Sequence, residues 1–258
     1  MNNPSKINQL LSSQPNGIVL QSAWLEQQGY SLSLQSRYKK SQWLKSLGRG
    51  ALIRAMDEVG YEGAIYALQN QTGLTIHPGG RTALDLLGKS QYLSFAANRI
   101  VLFGSEDENL PAWFNKHDWG APVDYNSSSF LPGEIGLVEL ELNNFSIKIS
   151  GAARAIFECL YLAPEKQHLI ECYEILEGLN NLNPAKVQEL LEFCNSIKVK
   201  RLFLFLAEKS GHEWFNQLNL KYVELGSGKR SIVKHGVYNK KYQITIPQEL
   251  AANETPGL

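Results

Sequence analysis

Residues 22–54 constrain this chain more than any other stretch. Ser22-Ala-Trp-Leu-Glu-Gln-Gln-Gly29 opens on a cap-type residue and closes on glycine, which predicts a helix of two turns. A second helix is expected over residues 31–41, with Arg37, Lys39 and Lys40 on it. Trp43-Leu-Lys-Ser-Leu-Gly-Arg-Gly-Ala-Leu-Ile-Arg54 alternates about Gly48-Arg49-Gly50, as a hairpin with a basic tip does. Helix, tight turn, helix and hairpin in that order predict a winged helix-turn-helix, whose second helix enters the DNA major groove. A helix at 6–12, with Ile7, Leu10 and Leu11 spaced for one face, and a short strand at 18–20 complete the module. Trp24 and Leu25 are expected to pack inward, as are Leu32, Leu34 and Tyr38. Ser33, Gln35, Ser36, Arg37, Lys39 and Lys40 are then left toward solvent or DNA. Trp43 and Leu44 are expected to anchor the hairpin, and Lys45, Arg49 and Arg54 add to its charge.

Charge is distributed in the same sense. The chain is neutral, with 25 basic and 25 acidic residues, but its parts are not. Residues 1–56 carry +6, with Glu26 the one acid; residues 57–195 carry −11; residues 196–258 carry +5. A basic head attracts the phosphate backbone whatever the base sequence, so double-stranded DNA is the expected partner.

The length of 258 residues suits two modest domains, and 43% hydrophobic residues are enough for a real core. Further helices are expected at 58–71 and 81–87, around the turn His77-Pro78-Gly79-Gly80, with a domain boundary near residue 92. Beyond it come strands (100–103, 123–125, 137–142, 145–149), then helices (152–162, 169–178, 184–196, 199–211, 212–218), then strands again (222–225, 229–234, 242–246). That order predicts an α+β fold: a winged helix-turn-helix domain at 1–92, then a larger mixed α+β domain at 93–258. Cys159, Cys172 and Cys194 form no close pair, which suits a reduced, cytoplasmic chain. Neither a signal peptide nor a membrane-spanning segment is expected, and the tail at 253–258 is expected to fray.

The search for catalytic chemistry is negative. Gly226-Ser-Gly-Lys-Arg-Ser231 lacks the first glycine of a phosphate loop, where Val223 stands, and has Arg230 where Ser or Thr must follow the lysine. Gly104-Ser105 follows an apolar strand, but Asp107 and Glu108 are adjacent in a polar loop and do not alternate on a strand. Glu139 and Glu141 share a strand face, expected to be the solvent face, and Lys148 in Ser146-Ile-Lys148 lacks the acid two residues before it that a metal-dependent nuclease would want. The five histidines have no i,i+4 pair, so no metal is expected, and neither a cofactor nor enzymatic activity. Trp113, Phe114 and Trp119 read as packing residues, or as a ligand-binding patch in the alternative considered below.

Taken with Tyr38-Lys-Lys-Ser-Gln-Trp-Leu44 and Leu47-Gly-Arg-Gly50, several later segments resemble an AbiEi-type antitoxin. They are Gly79-Gly-Arg-Thr-Ala-Leu84, Leu110-Pro-Ala-Trp-Phe114, His117-Asp-Trp-Gly120, Ala153-Arg-Ala-Ile156, Val199-Lys-Arg-Leu202 and Lys241-Tyr-Gln-Ile-Thr-Ile-Pro247. The family commonly has glycine where Gln42 stands, and an aromatic residue where Leu52 stands. The resemblance implies a DNA-binding antitoxin that represses its own abortive-infection operon and counteracts a nucleotidyltransferase-like toxin. Because one winged helix covers few base pairs and such modules work in pairs, the operator is expected to hold inverted repeats. In the usual description of this class the two proteins form no tight complex. The alternative is a one-component regulator whose C-terminal domain senses a ligand. Residues expected to bind DNA are Ser33, Gln35, Ser36, Arg37, Lys39, Lys40, Lys45, Arg49 and Arg54. Those expected to serve antitoxicity, on the basic tail, are Lys198, Lys200, Arg201, Lys229, Arg230 and Lys234.

Overall fold

The computed structural model describes residues 5–89 and 99–251. The expected boundary near residue 92 and the expected frayed tail at 253–258 lie outside the described residues. In chain order the first part runs α1 (Lys6–Ser13), β1 (Leu20–Gln21), α2 (Ser22–Gln27), α3 (Leu32–Lys40), β2 (Leu44–Gly48), β3 (Ala51–Arg54), α4 (Tyr61–Thr72), β4 (His77–Pro78) and α5 (Gly80–Leu86). Then follow β5 (Ile100–Gly104), α6 (Ala112–Lys116), β6 (Val123–Ser127), β7 (Leu137–Glu141) and β8 (Ser146–Ser150). Four helices come next: α7 (Ala152–Leu162), α8 (Leu169–Gly178), α9 (Pro184–Phe193) and α10 (Ile197–Ser210). The chain closes with β9 (Arg230–Ser231), β10 (Val237–Asn239), β11 (Ile244–Ile246) and α11 (Gln248–Ala251). The fold is α+β, with an N-terminal winged helix-turn-helix and a larger mixed remainder.

These elements form two compact units that interleave in sequence. Unit 1 takes Met1–His77, Leu102–Ser127 and Glu139–Ile149; unit 2 takes Pro78–Val101, Ser128–Val138 and Ser150–Leu258. Within unit 1 the sheet order is β1-β3-β2, with Leu20 opposite Leu52 and Leu44 opposite Arg54. Ile7, Leu10, Ile18, Leu20, Leu25, Tyr38, Leu44 and Leu52 form the core beneath this sheet. Side-chain amides extend it. The Gln21 backbone N–H donates to Gln71 Oε1 (2.8 Å), and Gln71 Nε2 donates to the Val19 carbonyl (2.7 Å), which fastens α4 to β1. Gly63 lets α4 approach closely: a Cβ there would lie 2.0 Å from the Gly17 carbonyl oxygen. Gln69 meets Lys148 in β8 through both its amide oxygen and nitrogen, 2.9 Å each, as a neighbouring strand would.

Unit 2 is built on α10. Every residue from 199 to 207 is buried, so this helix is enclosed on all sides rather than amphipathic. A buried polar network joins three other segments. The Glu158 carboxylate on α7 accepts from the Gly80 N–H (2.8 Å), the Ser150 hydroxyl (2.7 Å) and Arg154 Nε (2.8 Å). Arg154 in turn donates to the carbonyls of Pro132 (2.7 Å), Gly133 (3.3 Å) and Ile135 (2.6 Å). Both side chains are almost fully buried, at 0% and 4% exposure. The three cysteines are buried free thiols. Burial pushes Cys194 up to about 11 and the other two well above the usual thiol range.

Removing one partner of such a pair leaves a buried charge unmatched, a loss of about 3–5 kcal/mol. Glu158→Ala is expected to destabilise by that order, read as the midpoint of chemical denaturation. A loss below about 1 kcal/mol would show that the network does not hold α5 and α7 together.

Candidate nucleic-acid interface

The geometry of α3 separates its residues into two faces. Leu34, Gln35 and Tyr38 point inward. Ser33, Ser36, Arg37 and Lys40, spaced i, i+3, i+4 and i+7, lie on the opposite side, and Ser36 alone of these is half-buried. Leu32 and Lys39 flank that stripe and are exposed. The expectation that Leu32 packs inward is corrected: it is 59% exposed. Two residues apart on a helix are about 200° apart, so Leu32 and Leu34 cannot share a face. Leu34 has Tyr38 at i+4, and that pair wins the core.

Gln35 is also corrected. It is 2% exposed and cannot reach DNA. Its amide nitrogen donates to the carbonyls of Ser22 (3.0 Å) and Tyr30 (2.8 Å), and its oxygen accepts from the Ser22 hydroxyl. Gln35 therefore ties the start of α2 and the intervening turn to α3. The Ser31 hydroxyl caps α3 by accepting from the Leu34 N–H.

In the hairpin, Leu44 is buried as expected, but Trp43 is 48% exposed. Strand side chains alternate, so an inward Leu44 turns its neighbour outward. Gln42 just before it has φ +56°, in the left-handed region. The related family's glycine at this point thus has a backbone reason. Gly48 packs on α6: a Cβ there would lie 3.1 Å from the Trp113 Cβ. The tip residues Arg49 and Gly50 are exposed, and Gly50 has φ +88°.

Arg54 is corrected as well. Its guanidinium donates to the carbonyls of Leu11 (2.6 Å) and Gln14 and to the Asn16 side chain, closing the end of α1 onto β3. It is occupied as a structural clasp. Lys45 is exposed, with Nζ 3.1 Å from the Asp57 carbonyl. Of the nine residues expected at DNA, the structure brings Ser33, Ser36, Arg37, Lys39 and Lys40 together on α3 and leaves Lys45 and Arg49 on the hairpin. The expectation that Trp43 anchors the hairpin is corrected by its exposure, and Met56 (94%), just past the hairpin, is an exposed residue that sequence reasoning did not single out. Strand alternation held the signal for Trp43; nothing in the sequence marked Met56.

The basic tail divides likewise. Lys200 and Arg201 are 4% and 2% exposed. Lys198 donates to the carbonyls of Tyr161 (2.8 Å) and Ala163 (2.6 Å), and burial pulls its ammonium below the ordinary lysine range. Arg201 donates to Leu225 (2.7 Å), Gly226 (3.0 Å), Gly228 (2.7 Å) and Gln243 (3.3 Å), all carbonyls. Lys200 and Arg201 are corrected from surface residues to buried ones, and the half-buried Lys198 is engaged by backbone carbonyls. With its carbonyls turned onto Arg201, the loop at 225–228 does not pair as a strand, and the strand expected at 222–225 is absent. A 3-10 turn at Leu220–Tyr222 precedes it instead. Only Lys229, Arg230 and Lys234 of the expected antitoxicity set are exposed.

Other candidate chemistry resolves into packing. Trp113 and Phe114 are buried, and the half-buried Trp119 donates its indole N–H to the Phe114 carbonyl (2.9 Å). A surface concavity of about 450 Å³ includes Phe114, His117, Trp119 and Pro122 in its lining. The Glu108 carboxylate accepts from the Thr75 N–H (2.7 Å), the Thr75 hydroxyl (2.8 Å) and the Ser105 N–H (3.3 Å). Glu139 and Glu141 are exposed. Among the described residues no group of three or more His, Cys, Asp or Glu side chains forms a metal site. No helix there is long and apolar enough to cross a membrane.

A helix-turn-helix backed by a three-stranded sheet, with a basic outward helix face, is the winged-helix form used by DNA-binding regulators. The family model described as "Transcriptional regulator, AbiEi antitoxin N-terminal domain" matches residues 3–95, and "Transcriptional regulator, AbiEi antitoxin, Type IV TA system" matches 97–247. The chain belongs to this AbiEi family of antitoxins and transcriptional regulators of type IV toxin–antitoxin systems. Regulators of this family are typically non-enzymatic. No curated protein sequence matches the chain. Among solved structures it is similar to the crystal structure of the RV2827C protein from Mycobacterium tuberculosis, with a TM-score of 0.61 and 14% identity. That similarity covers 95% of this chain and 92% of the other, and is one of fold.

The left-handed Gln42 leads to a stability prediction. A side chain in that region costs about 1–2 kcal/mol, of which glycine's greater chain entropy returns about half. Gln42→Gly is therefore expected to stabilise by about 0.5–1 kcal/mol. Gln35→Ala is expected to cost about 1–3 kcal/mol by orphaning buried carbonyls. Arg37→Ala should stay within about 0.5 kcal/mol of wild type. Denaturant melts of the three variants check this ordering; a Gln35→Ala as harmless as Arg37→Ala would contradict the inward assignment.

Proposed function

We propose that this chain represses the operon that encodes it, through α3 and the hairpin, and counteracts a nucleotidyltransferase-like toxin made with it in the cytoplasm. The observation that carries the first part is the α3 stripe. Ser33, Ser36, Arg37 and Lys40 face outward with Lys39 beside them, Lys45 and Arg49 lie on the hairpin, and Glu26 is the one acid in the first 56 residues. Hydroxyls and a guanidinium read base edges, while lysines at the rim meet phosphates. One such module covers few base pairs, so two copies are expected on an inverted-repeat operator, with half-sites about 34–36 Å apart or a multiple of that.

Operator binding is proposed for residues 1–92 and antitoxicity for 93–258. Because unit 1 also contains residues 102–127 and 139–149, substitutions separate the two tasks more cleanly than truncation does. Burial of Trp113 and Phe114 in packing favours this reading over the ligand-sensing alternative.

The test is binding to the promoter of the chain's own operon as a function of salt. With about four phosphate contacts, log K is expected to fall against log salt with a slope of about −3 to −4. Lys39→Ala with Lys40→Ala is expected to flatten that slope by about 1–2; unchanged affinity and slope would remove α3 from the interface. Arg37→Ala with Lys40→Ala, expressed from an unrelated promoter beside the toxin, should derepress the native promoter yet still protect growth. Failure to protect at normal protein levels would show that the two tasks are one.

A further inference from the structure

We propose that the outer face of the small C-terminal sheet, of order β10-β11-β9, binds single-stranded RNA. Residues 225–246 contain Lys229, Arg230, Lys234, Lys240 and Lys241, with His235, and no aspartate or glutamate. Register defines the faces. Ile244 and Ile246 are buried, so Thr245 between them points outward, and its antiparallel partner Tyr238 and parallel partner Ser231 share its side. Lys229, two residues before Ser231, belongs to the same row, and its Nζ stands 4.9 Å from the centre of the Tyr238 ring. Tyr238 is 38% exposed, and Tyr222, in the segment leading to the sheet, is 72% exposed.

A second observation strengthens the charge. Beneath this face the buried Arg201 guanidinium is held by carbonyl oxygens alone and has no carboxylate partner among the described residues. Glu208 is an acid in contact with the sheet region, and it is engaged by Lys241 and by the Tyr242 hydroxyl (3.0 Å). The glycine loop at 226–228 turns its carbonyls inward to Arg201. It is a clasp for a cation, the reverse of an anion cradle, and the anion-binding capacity lies on the side chains outside.

Rings among cations, on an open strand face, suit bases that are already unstacked, because each base presents a π-face and each phosphate meets a lysine. Duplex DNA is disfavoured here, since its bases are already stacked on one another and offer no free π-face to the exposed rings. The outer row is Tyr, Lys, Ser and Thr and lacks the apolar centre of a protein interface. The Thr245 hydroxyl is taken by the Ile232 N–H (2.8 Å) and the Val233 carbonyl (3.3 Å), but the exposed Ser231 hydroxyl beside it keeps an acceptor lone pair for a ribose 2′-OH, the group that distinguishes RNA from DNA. This ligand is independent of operator binding by α3.

The experiment uses the full chain and three labelled probes: a mixed-sequence 12-nucleotide RNA, its single-stranded DNA counterpart and the matching duplex DNA. Anisotropy should show RNA bound more tightly than single-stranded DNA. With three to four phosphate contacts, the slope of log K against log salt should be about −2 to −3. Tyr238→Ala should weaken RNA binding about tenfold while Tyr238→Phe retains it. Lys229→Ala with Lys234→Ala should weaken binding and flatten the slope, and Arg37→Ala with Lys40→Ala should leave RNA affinity unchanged. Any of four results overturns the proposal: no RNA binding by the wild-type chain, single-stranded DNA bound as tightly as RNA, RNA affinity lost equally in the α3 variant, or Tyr238→Ala without effect. Loss of operator binding in the α3 variant, with RNA binding kept, supports both readings as separate functions.

Discussion

Glu158 sits where unit 2 has no water to offer it. A carboxylate there is tolerable only if its oxygens find donors, and three segments supply them: the Gly80 N–H at the start of α5, the Ser150 hydroxyl at the end of β8, and Arg154 one turn back on α7. Arg154 then spends its remaining donors on the carbonyls of the 132–135 loop. Removing any one contributor leaves a buried polar group unpaired, so the segments hold one another in place. Arg201 does the same for the C-terminal end, holding the 225–228 loop and Gln243, which itself has φ +53°.

These two networks bring together four of the segments that carry the family resemblance. Gly79-Gly-Arg-Thr-Ala-Leu84 and Ala153-Arg-Ala-Ile156 meet around Glu158. Val199-Lys-Arg-Leu202 and Lys241-Tyr-Gln-Ile-Thr-Ile-Pro247 meet through Arg201. Thr82 adds a further tie, its hydroxyl accepting from the Val101 N–H (2.8 Å). Four of the resembling segments thus meet in satisfying buried polar groups, while residues 38–44 and 47–50 carry the exposed Lys39, Lys40 and Arg49. A fold likeness at 14% identity fits that picture, because burial pattern and polar satisfaction restrain a fold while surface residues vary.

The same economy shapes the basic residues. Of the cations expected on surfaces, Arg54, Lys198, Lys200 and Arg201 are drawn into the structure. Arg37, Lys39, Lys40, Lys45, Arg49, Lys229, Arg230 and Lys234 stay outside. A guanidinium carries several donors on a planar fork, so it closes a loop of carbonyls that a single ammonium cannot. Arg54 and Arg201 are both used that way. Net charge by region thus overstates the charge available to a partner in the C-terminal part, where Lys200 and Arg201 are buried and Lys198 is half-buried.

Local pattern was enough to specify the winged helix-turn-helix, the α+β class and most helices, because a period of 3.6 or 2 is written into a short stretch of residues. It also marked Gly48-Arg49-Gly50 as the tip and put Leu34 and Tyr38 inward, though it put Leu32 with them. What only tertiary structure decided was the fate of polar side chains. Gln35 and Arg54 look like DNA contacts in sequence, yet Gln35 is held by groups 5 and 13 residues away and Arg54 by groups 38–43 residues away. Arg201 takes carbonyls 24–42 residues downstream. No local period records such pairings, and the interleaving of 102–127 and 139–149 with the first 77 residues is equally silent in sequence. A hydrophobic face declares itself locally because water is everywhere; a buried polar group is settled by whichever distant donor or acceptor the fold brings to it.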